Sequence, residues 1–134
     1  MKIEDHFIED GKIIHAEYFG EFPKEPAEID KVFKWIANFK KKYNSNRFLI
    51  DYRHVEYKQD PLSMAEYVDR LKKFDLINGY VAYLFEKDSE SSRCFKLVLA
   101  DVQVKKFLGK INVVGEQFYK MDAAIEWLKK SNKI

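Results

Sequence analysis

The sequence predicts an α/β domain, with a mixed, largely parallel sheet, an antiparallel N-terminal hairpin and four helices. Short apolar runs such as Phe48-Leu49-Ile50 and Tyr80 to Phe85 have the length and continuity of strands buried on both faces. The segments between them repeat apolar residues at steps of three and four, the spacing of one helix face. Near the amino end, the turn pair Asp10-Gly11 separates two alternating segments.

Taken in order, Ile3 and Phe7 alternate with polar neighbours, and from Lys12 a second strand carries Ile14, Ala16 and Tyr18 on one face. Gly20 and Pro23 break that strand. From Lys24 to Tyr43 the residues Ile29, Val32, Phe33, Ile36, Phe39 and Tyr43 form a helical stripe, ended by Asn44 to Asn46. The strand "RFLIDYR" follows. Asp60-Pro61 then opens a helix through Leu62, Ala65, Val68, Leu71 and Phe74, and Asn78-Gly79 is expected to close it. After the strand "YVAYLFEK", Asp88 and the serines 89, 91 and 92 are placed to open a helix using Phe95, Val98, Leu99 and Val102, with Gly109 as its stop. "KINVVGEQF" is the last strand. "MDAAIEWLKK" is the last helix, burying Ala124, Trp127 and Leu128 and placing Lys129 and Lys130 at the negative end of its dipole. There is no internal repeat, linker or low-complexity segment, so residues 1–134 are read as a single domain.

Composition narrows function mainly by exclusion. A chain of 134 residues, 46% hydrophobic and 34% charged, is large enough for one real core. Its 24 basic and 22 acidic residues leave a formal charge of +2, too little overall field to recruit nucleic acid. The single cysteine, Cys94, excludes an internal disulfide and a multi-cysteine metal site and suits a reducing cytosol. The first residues, "MKIEDHFIEDG", lack the apolar core of a signal peptide, and no apolar run reaches membrane-spanning length. The expectation is a cytoplasmic protein without a membrane span.

Several residues bear on chemistry. Asp51 and Arg53 are two apart on an extended chain, so both side chains leave one face at the carboxyl end of a central strand. That geometry serves a structural ion pair or a ligand rim, and the absence of a nearby nucleophile or phosphate cradle favours the ion pair. His54 beside Asp51 and Glu56 would suit acid–base work, but nothing nearby supplies a nucleophile. His6, His15 and His54 lack the short spacing of a zinc site, and there is no glycine-rich phosphate loop, so neither metal nor cofactor is expected. The lysines of "FKKKYNSNR" fit a solvated helix end better than a nucleic-acid patch. Tyr52, Tyr57, Tyr67, Phe74, Tyr80 and Tyr83 exceed the obvious needs of a small core. Core packing is the default for at least half of them, and the others point to an apolar pocket or to a homodimer interface.

The closing stretch "FYKMDAAIEWLKK", the run "FLIDYRHVE" and the glycine-then-helix opening "YFGEFPKEPAEI" resemble SpoIIAA-like proteins, of the STAS and SEC14 type. Lys120 and Met121 depart from the acidic helix start of that pattern, and the loop after Glu86 is richer in Ser and Asp. The resemblance implies docking on a partner protein, as anti-sigma factor antagonists do under control of a phosphorylatable serine, or the holding of a lipid or another small apolar ligand. Ser63 is the nearest substitute for that serine.

Two functions follow as expectations. The first is a non-catalytic, STAS-like binding module with a surface drawn from Asp51, Arg53, His54, Tyr57, Tyr67, Glu86 and Arg93. The alternative is a small enzyme using Asp51, Arg53 and His54 on a compact substrate.

Overall fold

Asp10-Gly11 turns the chain as the alternating pattern requires. In the computed structural model, which describes residues 1–56, 64–89 and 112–131, β1 (Lys2–Ile8) runs antiparallel to β2 (Ile13–Glu21). The Lys12 N–H donates to the Glu9 carbonyl at 3.1 Å, and Gly11 takes φ +95°, a conformation that a side chain would strain.

Helix α1 (Pro26–Tyr43) begins two residues later than the apolar spacing predicts. The cause is Pro26, which clashes with a helical conformation in the residue before it and holds Glu25 extended at φ −76°, ψ 132°. Asn44, left-handed at φ 49°, ends the helix where expected. β3 (Arg47–Glu56), α2 (Met64–Lys73), β4 (Gly79–Leu84), β5 (Val113–Phe118) and α3 (Met121–Lys130) follow.

Helix α2 stops before Asn78-Gly79. Asp75 adopts φ 56° and the Leu76 N–H reaches back to the Leu71 carbonyl at 2.7 Å, so the helix closes in a Schellman-type turn. Gly79 instead opens β4 against the strand beside it. A Cβ there would lie 2.8 Å from the Asn46 carbonyl oxygen, which accepts the Tyr80 N–H at 2.9 Å.

The sheet order is β1-β2-β3-β4-β5, parallel from β2 onward. Helices α1 and α2 pack on one face, where Ile29, Phe33, Ile36, Val68 and Leu71 meet Ile14, Ala16, Phe48, Ile50 and Phe85. Consecutive strands joined by crossovers of one hand place both helices on that side. Helix α3 covers the other face, packing Ala124 and Leu128 on Ile13, Leu49, Ala82 and Leu84, with Trp127 half-buried beside them.

The described aromatics largely go into this packing. Tyr52 stacks on Phe85 with centroids 4.8 Å apart, Tyr67 meets Phe33 edge-on at 5.7 Å, and Tyr80 meets Trp127 at 6.3 Å. Among the described residues, Tyr52, Tyr67, Tyr80 and Tyr83 are thus engaged in packing within the chain. Three helices stand among the described residues. The helix expected between Asp88 and Gly109, with Cys94, lies outside the described residues, as do Tyr57, Ser63 and Arg93.

Candidate functional site at the carboxyl ends of β2 and β3

Asp51 is fully enclosed, and its carboxylate is held from three directions. Arg53 grips it as a fork, Nε to Oδ1 at 2.9 Å and Nη2 to Oδ2 at 2.8 Å, and the Arg53 backbone N–H adds a bond to Oδ1 at 3.1 Å. His15 approaches from β2, with Nε2 3.0 Å from Oδ2. An ionised carboxylate offers about four acceptor positions, and these four bonds occupy them. Burial alone would raise the Asp51 carboxyl. The bond from His15 and those from Arg53 outweigh it and hold the group well below the usual carboxylate range.

Register explains the assembly. β2 and β3 are parallel with Glu17 opposite Asp51 and His15 opposite Leu49, so His15, Glu17, Asp51 and Arg53 share the α3 face. Across the hairpin His6 lies directly opposite His15, their rings 5.3 Å apart, and His6 Nε2 is 2.8 Å from Glu17 Oε1. One ligand atom from each of His6, His15 and Glu17 lies within 4.8 Å of the other two.

Among the described residues, carboxylates cluster along this row. The Arg53 guanidinium is stabilised in its charged form first by its bonds to Asp51, then by the nearby charges of Glu17 and Glu86. Three carboxylates thus surround one guanidinium, which favours a cationic group over an anion.

The predicted site residues divide between the two faces. Asp51 and Arg53 meet as expected, and Glu86, exposed after β4, joins their electrostatic neighbourhood. His54 does not bond to Asp51. β3 carries one extra residue between the pairs Glu17–Asp51 and Phe19–His54, and beyond this bulge the exposed His54 ring stacks on Phe19 at 5.4 Å. Tyr67 lies on the α1–α2 side, where it shares a hydrogen bond with the Tyr83 hydroxyl at 2.7 Å. Among the described strands the order never reverses, so they form no crevice of the kind that seats ligands in doubly wound sheets.

The basic cluster is largely structural. It borders a groove of about 500 Å³ at the amino ends of the strands, lined by Lys12, Lys40, Lys41, Arg47 and Phe74 among others. Lys40 donates to the Asp75 carbonyl at 2.7 Å, Lys42 binds Asp5 at 2.9 Å, and Arg47 reaches the Gly11 carbonyl at 2.7 Å.

His6, His15 and Glu17 escaped the sequence reading because zinc spacing rules follow helices and short loops, whereas two strands bring these residues together. A signal was present: counting outward from a two-residue turn at Asp10-Gly11 pairs His6 with His15. No protein-family model matches the chain, and no curated protein matches it.

Proposed function

We propose that the chain is a non-catalytic binding module, STAS-like in character, acting through a partner protein that presents lysine or arginine side chains to the patch around Glu17, Asp51, Arg53 and Glu86. The observation that carries this reading is the occupied carboxylate of Asp51. A general base must accept a proton and a nucleophile must expose an oxygen, and the bonds from His15 and Arg53 engage both oxygens. An enzyme built on Asp51, Arg53 and His54 would also need His54 beside Asp51, whereas its ring stacks on Phe19. The element order and the segments "FLIDYRHVE" and "FYKMDAAIEWLKK" support the STAS-like character.

Titration of the labelled protein with a lysine-rich peptide at low salt tests the proposal by amide chemical shifts. The expected shifts fall at the carboxyl ends of β2 and β3, and the double change Glu17→Gln with Glu86→Gln weakens binding severalfold. Shifts confined to the groove at Lys12 and Lys41, or a turnover that Asp51→Asn abolishes in a folded protein, would overturn it.

A further inference from the structure

We infer that His6, His15 and Glu17 form a binding site for a divalent transition-metal ion of the zinc type, with Asp51 and Arg53 as its supporting layer. The donor set is two imidazoles and one carboxylate, which suits zinc and its first-row neighbours. The residues come from the two strands of one hairpin: His6 faces His15 across it, and Glu17 follows His15 on the same face. Their ligand atoms lie within 4.8 Å of one another, and rotation of the half-exposed His6 and of Glu17 is what would bring them to the roughly 3.3 Å that a tetrahedral ion imposes. His6 Nε2 and Glu17 Oε1, now 2.8 Å apart, need to open only to about 3.3 Å to share an ion at ordinary zinc distances.

The stronger observation is the layer behind the histidine. His15 Nε2 lies 3.0 Å from Asp51 Oδ2, so the ring nitrogen left to bind an ion is Nδ1. Metal-bound histidines characteristically donate their second ring N–H to a carboxylate, which fixes the tautomer and raises ligand basicity. Here that carboxylate is buried and fixed in turn by a bidentate arginine. A relay of buried His15 and Asp51 held by Arg53 is an elaborate support for a merely packed imidazole. It is the support that a ligating one requires.

The charge of the described residues agrees, since Glu17, Asp51 and Glu86 stand around the single guanidinium of Arg53. His6 is half-exposed on an edge strand, which gives an ion a path from solvent. Three protein ligands leave one coordination position for water or for a donor group of a ligand. The site stands independently of the partner proposed above, because it requires only the free chain.

The test is calorimetric titration of the purified full chain with Zn²⁺, paired with the visible absorption of the Co²⁺ form. The expected result is one ion per chain, Co²⁺ bands of low coordination number, and at least a tenfold loss of affinity in His6→Ala. Because His6 is half-exposed, that variant keeps its fold, which circular dichroism verifies. Asp51→Asn, where it folds, should weaken binding by about tenfold to a hundredfold without removing a ligand. Absence of saturable binding below millimolar Zn²⁺ would overturn the assignment. So would affinity left unchanged by both His6→Ala and Glu17→Gln.

Discussion

Arg53 holds Asp51 through both carboxylate oxygens, with the aspartate fully enclosed and the arginine side chain still 28% exposed. Removing either partner leaves the other, and His15 with it, incompletely compensated. Asp51→Asn or Arg53→Gln alone should therefore cost about 1 to 3 kcal/mol, less than for a wholly buried pair because water reaches the guanidinium. The double change should cost clearly less than the two added together. Urea unfolding of the four proteins measures the coupling, and strictly additive losses would dissolve the pair.

The amino ends of β3 and β4 make a different prediction, one of space rather than charge. Gly79 has no room for a Cβ, because the atom would meet the Asn46 carbonyl oxygen at 2.8 Å, and that oxygen is itself bonded to the Tyr80 N–H. Neither group can withdraw without disturbing the first pairing of the two strands. Gly79→Ala should lower stability by about 1 to 3 kcal/mol, the usual range for overpacking. An unchanged melting midpoint would show that the strands part there easily.

Asp5 ties β1 to the end of α1. It accepts hydrogen bonds from the Tyr43 hydroxyl and from Lys42, and these, in that order, lower its carboxyl below the ordinary value. A folded-state value below the unfolded one means that folding favours the ionised form. The contribution is complete above the unfolded value of about 3.9 and disappears as pH falls through the lower folded value. Tyr43→Phe should thus be less stable than the wild type at neutral pH, with the gap narrowing below about pH 4. A gap independent of pH would show that the loss does not come through the ionisation of Asp5.

The sequence revealed local features more readily than distant ones. Helix α3 occupies the ten residues "MDAAIEWLKK" that its apolar spacing marks, and the hairpin follows from its turn. The end of α2 was misplaced because Asn78-Gly79 is a stronger written stop than Asp75, yet a left-handed Asp75 with a back-bonded Leu76 closes the helix first. Asp51 and Arg53 could be paired by eye, being two residues apart on a strand. His15 could not, since it lies 36 residues from Asp51 and reaches it only when β2 and β3 are parallel with Glu17 opposite Asp51. Tyr67 shows the converse: it shared a rim with Arg53 in the linear reading, and the sheet separates them.

That separation gives a prediction in which the two residues respond with different signs. Tyr67 lies in the α1–α2 core, and Tyr67→Phe removes a shared hydroxyl bond to Tyr83. It should cost about 1 kcal/mol of stability and leave the affinity for a lysine-rich peptide untouched. Arg53 places its guanidinium beside Glu17, Asp51 and Glu86, so Arg53→Gln makes the patch more negative. It should destabilise the fold and yet tighten peptide binding at low salt, with the gain fading as salt screens the field. Measured at a temperature where both variants are folded, tighter binding in Arg53→Gln beside unchanged binding in Tyr67→Phe places recognition on the α3 face and through its carboxylates. Weaker binding in Arg53→Gln would show that the arrangement Arg53 imposes on Asp51, and not the charge of the patch, governs recognition.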